Sequence, residues 1–167
     1  MKVFVTVGSM LPFDRLVAAM DDWAAAHPNV QCFAQIGAGG TPPRHMPFSE
    51  MLAPAEFRRH CLECDVIVSH LGMGTVLSAA ELQRPLVALI RQQTLREANS
   101  EHQTATAAWL KSRPGIVIAE NASALAAAVE ATAGRAGPKD FETADRSALT
   151  AAVADFLHDA VHRTGER

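Results

Sequence analysis

The sequence predicts an α/β protein: an open parallel sheet with helices on both faces. Three observations predict it. Short apolar runs rich in β-branched residues recur along the chain, stretches with the apolar spacing of one helical face separate them, and glycine-rich or polar turns follow several of the runs.

The first run, Met1 to Val7, reads as a buried strand. A helix follows, because Phe13, Leu16, Val17, Met20, Trp23 and Ala24 recur as a stripe that faces a sheet. Pro28-Asn29 turns the chain into a second strand, Val30 to Ile36, and the glycines and prolines from Gly37 to Pro43 make a loop at its end. A helix near Pro54 to Glu63 leads to a third strand, Asp65 to Ser69, and Gly72-Met73-Gly74-Thr75 turns into a helix that ends near Gln83. Pro85 to Ile90 is a fourth buried strand. A polar loop and a helix from about Ser100 to Lys111 precede a fifth strand, Gly115 to Ala119, and a helix from Ser123 to Ala133.

Strands spaced by helices imply right-handed crossovers, and in such sheets ligands bind at the carboxyl ends of the strands. We expect residues 1–135 to form one ligand-binding α/β domain. Residues 136–167 are expected to form a linker and a last amphipathic helix, whose stripe of Leu149, Val153, Phe156, Leu157, Ala160 and Val161 packs on the domain or on a partner.

Composition narrows the function classes. Apolar residues make up 49% and charged residues 20% of the 167, which is a globular balance. A formal charge of −3 argues against nucleic acid as a partner, since phosphate-backbone binders need a concentrated basic patch. The apolar start is broken by Gly8-Ser9, far short of a signal peptide's core or a membrane span, so a cytoplasmic protein is expected. Cys32, Cys61 and Cys64 leave at least one thiol unpaired, which fits a reducing compartment.

Three loops are expected to converge at the carboxyl edge of the sheet: Gly8-Ser9, Ser69 to Thr75, and Arg91 to Gln103. The Gly72-Met73-Gly74-Thr75 turn opens a helix, where bare backbone lets phosphate oxygens approach amides and the positive end of the helix dipole. A tight turn that merely needs glycine explains the spacing equally well. The dinucleotide fingerprint fails, because Leu77 and Pro42 stand at its third glycine position in the two glycine loops, and no Walker lysine follows. Arg91, Glu97, His102 and Gln103 supply a cation, a carboxylate, an imidazole and an amide beside one loop, a mixture suited to a phosphorylated sugar. Ser100 and Gln103 also have the spacing of a capping box, which the spacing favours for Gln103.

His70 follows the third strand and is expected to line the site. His158 and His162 lack a third ligand, and Cys61-Leu62-Glu63-Cys64 lacks a second pair and ends a helix, so no metal is expected at either.

Together these loops resemble the C-terminal, donor-binding domain of family 28 glycosyltransferases. The residues that carry the resemblance are Val5 to Leu16, Phe33-Ala34-Gln35-Ile36-Gly37, Asp65 to Thr75, Pro85-Leu86-Val87, and then Arg91, Glu97 and His102-Gln103. Within the family the chain is similar to the catalytic subunit of the two-part eukaryotic N-acetylglucosaminyltransferase of dolichol-linked oligosaccharide synthesis, and closer to bacterial subunits that extend lipid-linked exopolysaccharide units. The resemblance implies a Rossmann-like domain corresponding to the C-terminal half of a GT-B glycosyltransferase. It implies a UDP-sugar donor, inverting hexosyl transfer to a lipid-linked saccharide acceptor, and a membrane-associated subunit that binds the acceptor and holds this chain at the inner face of the membrane. It implies no cofactor and no metal. A homodimer is a further expectation for the isolated chain.

Carried over by position, Gly8, Ser9, Gln35, Ser69, His70, Gly72, Met73, Gly74, Thr75, Arg91, Glu97, His102 and Gln103 are the substrate-binding candidates, and His70 and Asp14 are the catalytic candidates, against which the acceptor would be positioned unless the partner supplies the base. The chain departs from the pattern at Ser78, where many members carry a ribose-binding glutamate. It departs again at Ile90, which replaces a proline, and at Arg96, which replaces a common glycine. A non-catalytic nucleotide-sugar sensor is the alternative reading, and a nucleotide-sugar epimerase or hydrolase a more distant one.

Overall fold

The computed structural model describes residues 1–97 and 102–138, with the backbone alone for 102–105. Among the described residues the strands are β1 Lys2–Thr6, β2 Gln31–Gln35, β3 Phe48–Ser49, β4 Val66–His70, β5 Leu86–Leu89 and β6 Ile116–Ala119. The helices are α1 Asp14–Ala26, α2 Pro54–Glu63, α3 Met73–Glu81, α4 His102–Leu110 and α5 Leu125–Thr132. The six strands form one sheet in the order β3-β2-β1-β4-β5-β6, and every pairing is parallel.

The chain runs outward from β1 through β2 to β3, then returns to place β4 on the other side of β1. That reversal leaves a crevice at the carboxyl ends of β1 and β4, where helices depart to opposite faces. Alternation along the strands divides the core. Val3 and Val5 of β1 pack with Leu16, Met20, Leu125 and Val129 of α1 and α5, while Phe4 packs with Cys61, Val76, Ala79 and Leu110 of α2, α3 and α4. Burial of this apolar surface on both faces is the main favourable contribution to folding.

Local signals set the helix starts. Pro54 sits in the first turn of α2, and the Glu56 carboxylate accepts from the Ala53 amide at 3.2 Å. Asn121 accepts from the Ala124 amide at 3.0 Å, so a 3-10 turn over Ala122–Ala124 leads into α5.

Two features differ from the sequence expectation. The strand β3 pairs with β2 without an intervening helix, and at two residues it is too short to show any alternation. The expected linker is still packed at its beginning: Gly137 and Pro138 are buried, and Gln83 Nε2 donates to the Pro138 carbonyl at 2.9 Å. The predicted last helix, with its stripe from Leu149 to Val161, and His158 and His162 lie outside the described residues. The three cysteines are buried thiols, with burial first in pushing Cys61 up to about 12. Among the described residues no helix is long and apolar enough to cross a membrane.

Candidate functional site

The turn after β1 is organised by buried polar groups. The Thr6 hydroxyl donates to Gln35 Oε1 at 2.7 Å, the Gly8 amide donates to Thr6 Oγ1 at 3.2 Å, and Gln35 Nε2 donates to the Gly8 carbonyl at 3.4 Å. Gly8 has φ of +78°, and a Cβ there would lie 2.7 Å from His70 Cε1. Both the backbone conformation and the histidine ring require glycine.

His70 ends β4, and its ring fills the space between Gly8 and Gly72, where a Cβ on Gly72 would overlap His70 Nε2. Burial, with Arg91 nearby, pushes the imidazole down to about 4, so it is neutral at physiological pH. The Ser69 hydroxyl lies 3.4 Å from His70 Nδ1. Two residues on, Gly72 is the N-cap of α3 and no side chain caps this end of the helix. The first-turn amides of α3 therefore point from an uncapped helix start toward the same crevice.

Arg91 is the fixed point behind the crevice. It is buried, with Nη1 donating to the carbonyls of Pro12 at 2.7 Å and Glu97 at 2.9 Å, and Nη2 to those of Val7 at 2.8 Å and Leu11 at 2.7 Å. Arg15 reaches the other way, from α1 to the loop after β5. Its Nε and Nη2 each lie 2.8 Å from one oxygen of Glu97, and Nη2 also donates to the Ile90 carbonyl at 2.8 Å. Both guanidiniums lie over the ring of Phe13, at 5.2 Å for Arg15 and 4.7 Å for Arg91. Burial pushes the Glu97 carboxyl up, but Arg15, the Gln92 amide and Arg91 outweigh it and leave it below its ordinary value. Two arginines against one carboxylate give this wall an excess positive charge without presenting an exposed cation.

These groups surround a cavity of about 610 Å³, within the size range of small-molecule sites. The structure brings together Gly8, Ser9, Gln35, His70, Gly72, Gly74, Thr75, Arg91 and Glu97 of the sequence candidates. Their roles are refined by their bonds. Arg91 and Glu97 are committed to holding the loops, so their charge is felt in the cavity more than their donors and acceptors are. Ser69 is fully buried behind His70, and Met73 is 41% exposed outside the lining. Asp14 faces the glycine loop after β2, accepting from the Thr41 amide at 3.0 Å and hydroxyl at 2.6 Å. His102 and Gln103 begin α4, and their side chains lie outside the described residues, as does Ser100.

The sequence reasoning missed the apolar wall of Met51, Leu52, Pro54 and Phe57, which β3 and the start of α2 bring to the cavity. Only the Pro54 helix start hinted at it. It also missed Arg15, although that residue stands inside the segment Val5 to Leu16. Ser78 lines the cavity while its hydroxyl donates back to the Gly74 carbonyl at 2.9 Å.

No family model matches the chain, and no curated protein does. Solved structures do. The glycotransferase of kitacinnamycin superposes with a TM-score of 0.59 over 81% of this chain at 20% identity, and the calicheamicin glycosyltransferase CalG4 with 0.58 over 80% at 16% identity. The match covers 35% and 34% of those chains, so this chain spans about a third of their length. At such identity the likeness is one of fold: a Rossmann-like open parallel sheet, of which the neighbours are GT-B glycosyltransferases.

Proposed function

We propose that the chain is the donor-binding half of a glycosyltransferase and that the cavity holds the nucleotide diphosphate of a UDP-sugar. The observation that carries this reading is the uncapped start of α3 opening, beside the Gly8 turn, onto a cavity whose back wall holds Arg91. Amides and a helix dipole suit a pyrophosphate, and a buried positive charge behind them adds attraction at little cost in ordering. The apolar wall of Leu52 and Phe57 offers a surface for a planar base.

In this reading the helix start stabilises the departing UDP with no metal needed to neutralise it, and an acceptor hydroxyl attacks the anomeric carbon with inversion. The acceptor is a lipid-linked saccharide held by a separate membrane-associated subunit, which keeps this chain at the cytoplasmic face of the membrane. Calorimetry with UDP and UDP-sugars tests donor binding, and labelled donor with and without the membrane fraction carrying the partner tests transfer. No UDP binding would refute the reading, and transfer to lipid by the lone chain would refute the two-chain division.

A second reading, a nucleotide-sugar-binding subunit without catalysis, is favoured by one contact: the Ser78 hydroxyl turns back to its own helix where many related domains carry a glutamate for the ribose. Donor binding with no transfer even beside the cognate partner would select it.

A further inference from the structure

Ser69 is the candidate whose placement departs furthest from the sequence expectation. Its side chain is fully buried, and among the described residues its hydroxyl has one hydrogen-bond partner, His70 Nδ1 at 3.4 Å. The direction of that bond follows from elementary chemistry. A neutral imidazole carries its proton on one nitrogen and a lone pair on the other. If Nδ1 carried the proton, the serine would accept it and its own buried O–H would have nowhere to donate, at the cost of an unsatisfied donor. If Nδ1 is bare, the O–H donates to it and both groups are satisfied.

The ring's other edge is placed as firmly. Its Cε1 and Nε2 fill the space that side chains on Gly8 and Gly72 would need, and both glycines line the cavity with His70. Among the described residues no protein group bonds Nε2. We infer that Ser69 is a positioning residue that fixes the tautomer of His70, so that an N–H at Nε2, and not a bare ring nitrogen, faces the cavity.

The consequence separates two chemistries. With Nε2 protonated and the ring neutral, His70 offers a hydrogen bond to an oxygen of the ligand and has no lone pair at the cavity to take a proton from an acceptor. Resting on the reading of the cavity as a UDP-sugar site, this makes His70 a donor toward the diphosphate and excludes it as the base. Burial and the nearby Arg91 keep the ring neutral, so only one of its two nitrogens carries a proton, and the Ser69 contact decides which.

The test is a long-range ¹H–¹⁵N spectrum of histidine-labelled protein at pH 7.5, with the His70→Gln variant used to assign the ring. A protonated Nε2 and a bare Nδ1 are expected, and a protonated Nδ1 overturns the proposal whatever the ligand. In Ser69→Ala the signals are expected to move toward a mixture of tautomers and UDP affinity to fall roughly fivefold. An unchanged spectrum, or unchanged affinity, overturns the role of Ser69. If wild-type protein gives no heat with UDP, the UDP-sugar reading fails, while the wild-type spectrum still decides the tautomer.

Discussion

Arg15 and Glu97, 82 residues apart in sequence, meet in a two-point ion pair with both N···O distances at 2.8 Å. The pair ties α1 to the loop after β5 and is only partly exposed, with side-chain accessibilities of 21% and 11%. Its planar geometry is specific to arginine. Arg15→Ala is expected to lower the unfolding free energy by about 2 kcal/mol, because the Glu97 carboxylate loses its main partner. Arg15→Lys is expected to recover less than half. Urea unfolding followed by circular dichroism measures both, and full recovery by lysine would mean that charge alone matters.

Arg91 is expected to be the more costly position. Its side chain satisfies the carbonyls of Val7, Leu11, Pro12 and Glu97, and none of these is rescued by a smaller residue. Arg91→Ala is expected to destabilise by about 3 kcal/mol or more and to weaken UDP binding by loosening two walls of the cavity. Thermal melts alongside calorimetry check both effects. A stable Arg91→Ala protein that binds UDP normally would show that the carbonyl contacts are dispensable.

The glycines at the cavity separate by their surroundings. Gly72→Ala is expected to lower stability and remove UDP binding, because the new methyl meets the His70 ring. Gly74, inside α3, has open space where a Cβ would stand. Gly74→Ala is therefore expected to raise stability by about 0.5–1 kcal/mol through helix propensity. Equal effects of the two substitutions in a melting experiment would contradict the placement of His70.

Stability is expected to fall with acid between pH 7 and pH 4. At neutral pH His70 is uncharged in both the folded and the unfolded chain. Below its ordinary value of 6.5 the unfolded chain takes up the proton first, and the folded ring follows only near 4. The group therefore stabilises the fold above 6.5, and as the pH falls to 4 about 3 kcal/mol of that stability is lost. His60, lowered first by burial and then by Arg59, acts in the same direction. Urea titrations from pH 7.5 to 4.5 measure the slope, and His70→Gln is expected to flatten it. An equal slope in that variant would place the acid sensitivity elsewhere.

Arg96 has φ of +58°, a left-handed conformation that costs a side chain about 1 kcal/mol. Arg96→Gly is expected to raise the melting temperature slightly, which differential scanning calorimetry resolves. A lower melting temperature would indicate that the arginine's contacts outweigh the strain.

The parallel sheet was readable in the sequence because each long strand is a run of buried apolar residues, with Val66 to Val68 and Leu86 to Leu89 wholly enclosed. The helix stripes likewise needed only spacing, as Leu16, Val17 and Met20 show. Arg96, which the resemblance marked as standing in place of a glycine, was visible as a letter, and its left-handed backbone angle is the kind that favours glycine. What spacing could not carry was pairing between distant side chains. Arg15 finding Glu97, or Arg91 finding carbonyls, depends on where loops land once the sheet has closed. Arg91 accordingly read as a cation for the ligand, although its donors are spent on the protein. The strand β3 escaped for another reason: two residues leave no period to detect, and with it went the wall of Met51 and Phe57.

Arg91 grips backbone oxygens and ignores the side chains attached to them. Mutational drift at Leu11, or at the exposed tip formed by Ser9 and Met10, leaves that grip untouched. The rim is thus free to be rewritten for new ligands while its frame stays put. For protein engineers it is a natural place to randomise first.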